Sequence, residues 1–363
     1  MNKRFQVLDA FRGLAALCVV VFHMHIVSSI TELDFFRGSA VFVQFFFVLS
    51  GFVLAHGYGT RENLVFVSFV KARFFRLYPL HLFMFLVFLF LETGKLLAFN
   101  YGGFIFNNVP FTNGTDFSEI LPNLLLIHAW TPAWNHLSFN YLSWSVSIEF
   151  YLYLLLFLSI VTLNKLKGLV WALISLATLC LLVVGSELLV RPVLNGLSCF
   201  FGGATMYLLY QKISHIQINK LLGSLVELVI IACIILLVQT GFKYHNAVTA
   251  ILFFCTILVF SFESGAVSSL LKLKPFQTLG KLSYSIYMTH AAILFCVTAL
   301  LMVLQRVMGV ELAPMQNDYR YLTLGNAFIN NLLTLAIIAL VILISSFTYR
   351  YIELKWKRSL ASN

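Results

Sequence analysis

The chain has 363 residues, of which 60% are hydrophobic and only 10% charged, with a mean hydropathy of +0.92. Soluble domains carry roughly 25% charged residues, so the composition excludes a water-soluble globular protein, and the excess apolar surface must face lipid. The net charge of +10 does not point to nucleic acid, because the basic residues are spread among short connecting segments where membrane topology accounts for them.

The first apolar stretch follows Met1–Arg4 and carries Asp9, Arg12, His23 and His25. It is too polar for a signal-peptide core and lacks a small-residue cleavage site, so it reads as a retained first span. A bilayer core of about 30 Å needs about 20 apolar residues of helix. Candidate spans cover 13–31, 39–57, 79–99, 142–163, 168–186, 194–211, 222–241, 246–262, 283–305 and 325–348. The expected fold is an all-α membrane protein, about ten transmembrane helices in one bundle formed by the whole of 1–363. No fused soluble domain is expected.

Segment 120–136 is apolar but short and holds His128, Pro132 and His136, which suggests an interfacial or re-entrant piece. It belongs to the longest connection, about 100–141, which has turn signals at Pro110, Asn113-Gly114 and Pro122 and no Lys or Arg. With the N-terminus inside, 18 of the 24 basic residues fall on the cytoplasmic side, Lys3, Lys357 and Arg358 among them. The other side holds Arg37, Lys95, Arg191, Lys243, Arg306 and Arg320. That bias predicts two cytoplasmic termini and an extracytoplasmic 100–141 loop. The six cysteines lie in apolar stretches without a CxxC pair, so neither a metal site nor a disulfide is expected.

Ionisable residues inside spans are costly and mark functional candidates. Arg12 and His23 are eleven residues apart and fall on one helical stripe, with a rise of about 16 Å. An interfacial Arg suits an anion and a deeper His suits proton transfer. His25 points away from that stripe. Arg73 and Arg76, at i and i+3, form either a phosphate clamp or an anchor to anionic lipid. Ser145 and Glu149 share a face, and Glu149, about 10–12 Å below the outer surface, needs a partner from another span, with His23 the natural one. Ser283, Tyr284, Ser285, Tyr287, Thr289 and His290 enter the ninth span as a polar stripe that either lines a cavity or joins helices. Glu92 and Glu227 read as interfacial or packing residues.

These motifs, taken in order, resemble the acyltransferase-3 family of membrane acyltransferases. They are Arg12-x10-His23, the run Phe45-Phe46-Phe47-Val48-Leu49-Ser50-Gly51-Phe52, Arg73-x-x-Arg76, Ser143-Trp144-Ser145-Val146-Ser147-Ile148-Glu149, Ser283-Tyr284-Ser285-Ile286-Tyr287-Met288-Thr289-His290 and Tyr351-Ile352-Glu353. One departure is that Leu354-Lys355 follow Glu353 where the family usually has Pro.

The resemblance implies an enzyme of the bacterial cytoplasmic (inner) membrane that transfers an acyl group from acyl-CoA, usually acetyl from acetyl-CoA, to a hydroxyl of an extracytoplasmic carbohydrate or lipid-linked glycan such as O-antigen or exopolysaccharide. It makes His23 the catalytic histidine, gives the CoA end to Arg12, Arg73 and Arg76, and makes Glu149 an acid on the acceptor side. Asp9, Ser145, Tyr284, Tyr287 and His290 are expected to support the site. A His–carboxylate pair would orient the imidazole. The competing reading is a proton-coupled transporter or lipid-linked sugar flippase with His23 and Glu149 as a proton relay. Against it, no pair of broken inverted repeats is evident.

Overall fold

The computed structural model describes residues 4–61, 63–106, 108–242, 244–316 and 318–356; Lys3, Lys243, Lys357 and Arg358 of the charge count lie outside them. Ten helices of 17 residues or more are present among the described residues. They are α1 Gln6–Phe22, α2 Phe42–Tyr58, α3 Phe66–Gly102, α4 Trp144–Leu163, α5 Lys167–Val184, α6 Arg191–Ile213, α7 Lys220–Val238, α8 His245–Ser261, α9 Lys274–Met308 and α10 Ala327–Thr348. Seven helical stretches are long and apolar enough to cross a membrane, and one of these, Trp144–Val184, comprises both α4 and α5. Ten helices thus overlap the ten expected spans, but only seven stretches reach that length and hydropathy: α4 and α5 share one, α2 reaches it together with Ser39–Val41, and α1 and α8, at 17 residues, are not among them. The fold is nearly all-α, with one small hairpin of β1 Met315–Gln316 and β2 Tyr319–Arg320.

The first span differs from its expected bounds of 13–31. α1 begins at Gln6 and ends at the helix cap His23, so Asp9 and Arg12 lie within the helix. The segment after His23 turns through short helical pieces, including Asp34–Arg37. The stop has a visible cause. The Arg37 guanidinium donates to the carbonyls of Val21, at 3.0 Å, and Met24, at 2.6 Å, taking up carbonyls that another helical turn would otherwise use. His25 accepts from Arg37 at 3.1 Å. Burial and then the Arg37 charge hold its pKa below the usual histidine value.

Alternation of the helices brings their ends into two groups. At one end Phe5 packs edge-on against Phe52, His56 and Tyr210, and Tyr210 against Phe262. At the other, Val27 bonds to Leu322 and Ile30 to Asn331. The first and last described residues meet at the same end, where Arg4, Tyr349 and Glu353 line one cavity.

Close helix packing in a bilayer needs small residues, and two crossings show it. On α2 and α6, a Cβ at Gly51 would collide with the Phe200 carbonyl and one at Gly203 with the Val48 carbonyl. On α1 and α9, Gly13 lies against Leu279 and Gly280 against the Asp9 carbonyl. Gly203→Leu should therefore lower the melting temperature of the detergent-solubilised protein, by overpacking worth about 1–3 kcal/mol. Gly94→Leu, at a position with open space around it, should not. Equal melting of the two variants would show that α2 and α6 separate freely.

The 100–141 connection folds inward. Short helix Ile120–Leu124 is followed by turns, and Leu126, His128 and Ala129 are buried. His81 bonds to the Asn123 carbonyl at 3.0 Å, Tyr78 donates to Leu124 at 3.0 Å, and Trp130 donates to Ser147 at 3.2 Å. Glu92 accepts from Lys95, Phe111 and Thr115, pinning the loop to α3. Glu227 accepts from Gly265 and Ser268 at the start of the short helix Ala266–Leu271. Both glutamates hold structure together.

Candidate active site

Helices α1, α3 and α9 bring charge to the end of the bundle where Arg4 and Glu353 lie. On α1, Asp9 lies between Arg4 at 2.8 Å and Arg12 at 3.4 Å. Arg12 is fixed further by donating from Nε to Ser283 Oγ at 2.8 Å and from Nη2 to the Gly280 carbonyl at 3.0 Å. The Gly13 and Gly280 contact makes this possible, since it brings α1 within reach of the α9 backbone. On α3, Arg73 donates to the Tyr58 hydroxyl at 3.4 Å and stands over the rings of Tyr58 and Tyr153. Its buried Nε has no hydrogen-bond partner among the described residues.

Arg4, Arg12, Arg73, Arg76 and Lys281 line a vestibule of about 330 Å³, together with Asp9 and Glu353. It adjoins a narrower chamber of about 60 Å³, with Arg12, Ser50, Arg76, Ser283 and Tyr284 lining both. The chamber is completed by Ser145, Val146 and Glu149 of α4, by Val43, Phe46 and Phe47 of α2, and by Tyr287 of α9. Ser145 donates to the Tyr287 hydroxyl at 3.0 Å, and Tyr284 donates to the Leu77 carbonyl at 2.7 Å. Ser285, one residue on, donates to Glu353 at 2.5 Å. Glu353 sits in a π-helical turn, Tyr349–Glu353, that continues α10.

The expected pairing of Glu149 with His23 does not form. Glu149 accepts from Ser50 and Tyr153, and its electrostatic neighbours are Arg12, Arg73 and Arg76. It therefore belongs to the arginine side of the site, not to a separate acceptor side. A carboxylate withdrawn from water needs donors and opposite charge, and the arginines at this level supply the charge that a neutral histidine lacks.

His23 pairs with His290. The rings are 5.1 Å apart, with His23 Nδ1 and His290 Nε2 separated by 3.2 Å. Carbonyls set the proton positions, because a carbonyl can only accept. His23 Nδ1 lies 2.9 Å from the Val19 carbonyl and His290 Nδ1 lies 3.1 Å from Ile286, so both Nδ1 atoms carry hydrogen. His290 Nε2 and the Val19 carbonyl then share the one His23 Nδ1 hydrogen, and His23 Nε2 is left with its lone pair. Tyr141 packs against the His23 ring at 5.1 Å. Tyr287 stands between the chamber and the histidines, 6.1 Å from His290 and 5.6 Å from Phe46.

Sequence reasoning named Arg12, Arg73, Arg76, Ser145, Glu149, Tyr284 and Tyr287, and the structure brings all seven to the paired cavities. Asp9 lines the vestibule as well, whereas His23 and His290, also named, line neither cavity. It did not assign roles to Ser50, Tyr58, Tyr141, Tyr153, Lys281 or Glu353. Ser50 and Glu353 lay inside quoted motifs and were polar interruptions of apolar helices, a usable signal. Tyr141 and Lys281 carried none.

A family model described as an acyltransferase domain matches residues 5–350. The chain belongs to the acyltransferase-3 family. Two curated relatives are similar over part of their length. "Protein 2 in picA locus" of Rhizobium radiobacter is 47% identical over 85 residues, 22% of this chain and 41% of its own. Acyltransferase MdmB of Streptomyces mycarofaciens is 32% identical over 165 residues, 42% of this chain and 38% of its own. The chain therefore spans about two fifths of the length of these relatives. No solved structure matches it.

Proposed function

We propose that this acyltransferase-3 chain is a membrane O-acyltransferase that takes an acyl group, acetyl foremost, from acyl-CoA and passes it to a hydroxyl of an extracytoplasmic carbohydrate. The observation that carries the reading is a cationic vestibule and an adjoining narrow chamber that share five lining residues, with Tyr287 of the chamber wall packed against a histidine pair.

Each part fits a demand of the reaction. The CoA phosphates need fixed cations, and Arg73, Arg76 and Lys281 offer them at the mouth while Arg12 stands where vestibule and chamber join. Positive charge concentrated among basic connecting segments sets this end toward the cytoplasm, where acyl-CoA is made. The pantetheine arm then carries the thioester inward past Ser50 and Glu149. An alcohol is a poor nucleophile while protonated, so transfer needs a base, and neutral His23 supplies the Nε2 lone pair. The hydroxyl oxygen bonds to the thioester carbonyl carbon, its proton passes to His23 Nε2, and the C–S bond breaks. The proton then moves to the departing thiolate, releasing CoA thiol. The His23 Nδ1 hydrogen bonds to Val19 and His290 hold the ring and stabilise the imidazolium, the role first expected of Glu149. Glu149 instead balances the arginine charge while no substrate is bound.

The test compares surface glycans from cells carrying the gene with those from cells lacking it, alongside label transfer from acetyl-labelled acetyl-CoA by membranes. One acyl mass per acceptor and label in the glycan fraction are expected. Proton-driven solute flux without any label transfer would replace this reading with transport.

A further inference from the structure

Resting on the acyl-transfer reading, we infer that Tyr141 is a further catalytic residue, its hydroxyl donating to the oxyanion that forms on the thioester carbonyl when the acceptor attacks.

Attack turns the carbonyl oxygen into an alkoxide, and a fixed donor aimed at that charge is among the largest contributions an acyl-transfer site makes. His23 takes up a proton at Nε2 and is engaged through Nδ1, so the oxyanion needs another group. The hydroxyls lining the chamber do not supply it. Ser50 donates to Glu149, Ser145 to Tyr287, Ser283 to Gly280, Tyr284 to Leu77 and Tyr287 to Leu142. A hydroxyl has one hydrogen, so each is committed. Arg37 is an electrostatic neighbour of His23, but its Nη atoms hold Val21, Met24 and His25, and its Nε is sealed from solvent.

Three rings touch His23. Phe22 has no donor, and His290 gives its Nδ1 hydrogen to the Ile286 carbonyl. The third is Tyr141, at 5.1 Å. It is half-buried, and its hydroxyl is neither hydrogen-bonded among the described residues nor sealed from solvent. The local fold holds it there. Phe139 turns the chain with a φ of 48°, in the left-handed region that such residues seldom adopt and that gathers at functional sites. Asn140 then donates to the Met288 carbonyl at 3.2 Å, and the Leu142 carbonyl accepts from Tyr287 at 3.1 Å. Both chain neighbours of Tyr141 are thus tied to α9 just before His290, which fixes the ring over His23.

As the acceptor oxygen bonds to the carbonyl carbon, its proton passes to His23 Nε2 and the carbonyl electron pair moves onto oxygen, which accepts from the Tyr141 hydroxyl. The carbonyl then re-forms, the C–S bond breaks, and the imidazolium proton goes to the thiolate. Tyr141 keeps its own proton throughout.

The experiment uses the full chain in the membranes that contain its acceptor, with label transfer and CoA thiol release from acetyl-CoA as readouts. Tyr141→Phe keeps the ring on His23, so the melting temperature of the solubilised protein should hold. Its kcat should fall about 10²–10³-fold, the cost of losing one oxyanion donor. The KM for acetyl-CoA should stay within about three-fold, because the bond forms only in the transition state. Acetyl-CoA hydrolysis in detergent without acceptor forms the same oxyanion and should fall in parallel. If Tyr141→Phe folds poorly, Tyr141→Gln and Tyr141→Leu decide: both lose the ring, and Gln, which keeps a donor, should retain about 10-fold more kcat or better. A wild-type kcat in Tyr141→Phe would overturn the inference, as would hydrolysis that holds while transfer falls, which would give the hydroxyl to the acceptor. Absence of transfer from acetyl-CoA by the wild type would instead overturn the acyl-transfer reading on which it stands.

Discussion

Replacing His23 with alanine is expected to leave an inserted protein that still binds acyl-CoA but whose acyl transfer falls by about 10²–10⁴-fold, the range that loss of a positioned general base typically costs. Its ring contacts Val19, Tyr141 and Phe22 and, across the α1–α9 crossing, His290, while the Gly13 and Gly280 contacts hold that crossing without it. The backbone cap of α1 uses the His23 amide, which alanine retains. Stability should therefore change little while the Nε2 lone pair is lost. His290→Ala should give a smaller loss, because His23 keeps its bond to Val19 but its imidazolium loses an acceptor. Transfer by purified, folded variants is the measurement. Substantial transfer by His23→Ala would remove His23 from the chemistry.

The second large effect concerns the vestibule. Arg73→Ala combined with Arg76→Ala should raise the KM for acetyl-CoA roughly 100-fold, since each hydrogen bond to a charged group contributes about 1.5–3 kcal/mol. The effect on kcat should be smaller, because neither side chain contacts the histidine pair. Arg73 is already placed for an anion: two tyrosine rings hold it and its Nε has no partner among the described residues. Arg76 lines both cavities, so its loss also leaves Glu149 with less opposing charge. Wild-type KM should rise with salt, and the double variant should be less sensitive, as screening predicts for a charge-driven contact. A KM equal to wild type would return the pair to anchoring anionic lipid.

Much of the architecture was legible because a bilayer imposes a simple rule. Every backbone group must be satisfied within the segment, so long apolar runs become helices, and all ten long helices overlap the stretches read from hydropathy. The error at the first span has the same origin. Hydropathy starts a span where charge ends, at Gly13, whereas Asp9 and Arg12 are helical because Arg4, Ser283 and the Gly280 carbonyl satisfy them. Ser283 and Gly280 are far away in the chain and leave no local trace.

The sequence by itself determined that the chain is a membrane helix bundle and which ionisable residues are too costly to be incidental. It also carried the motifs that make the family visible. Only the tertiary structure decided which of those residues meet. Helical periodicity states the face and depth of a side chain, but not the rotation of one helix against another. That rotation, set here by glycine crossings and by Arg37 capping α1, gave His23 to His290 and Glu149 to the arginines. The depth of the polar residues was a local property, and their pairing was a packing outcome.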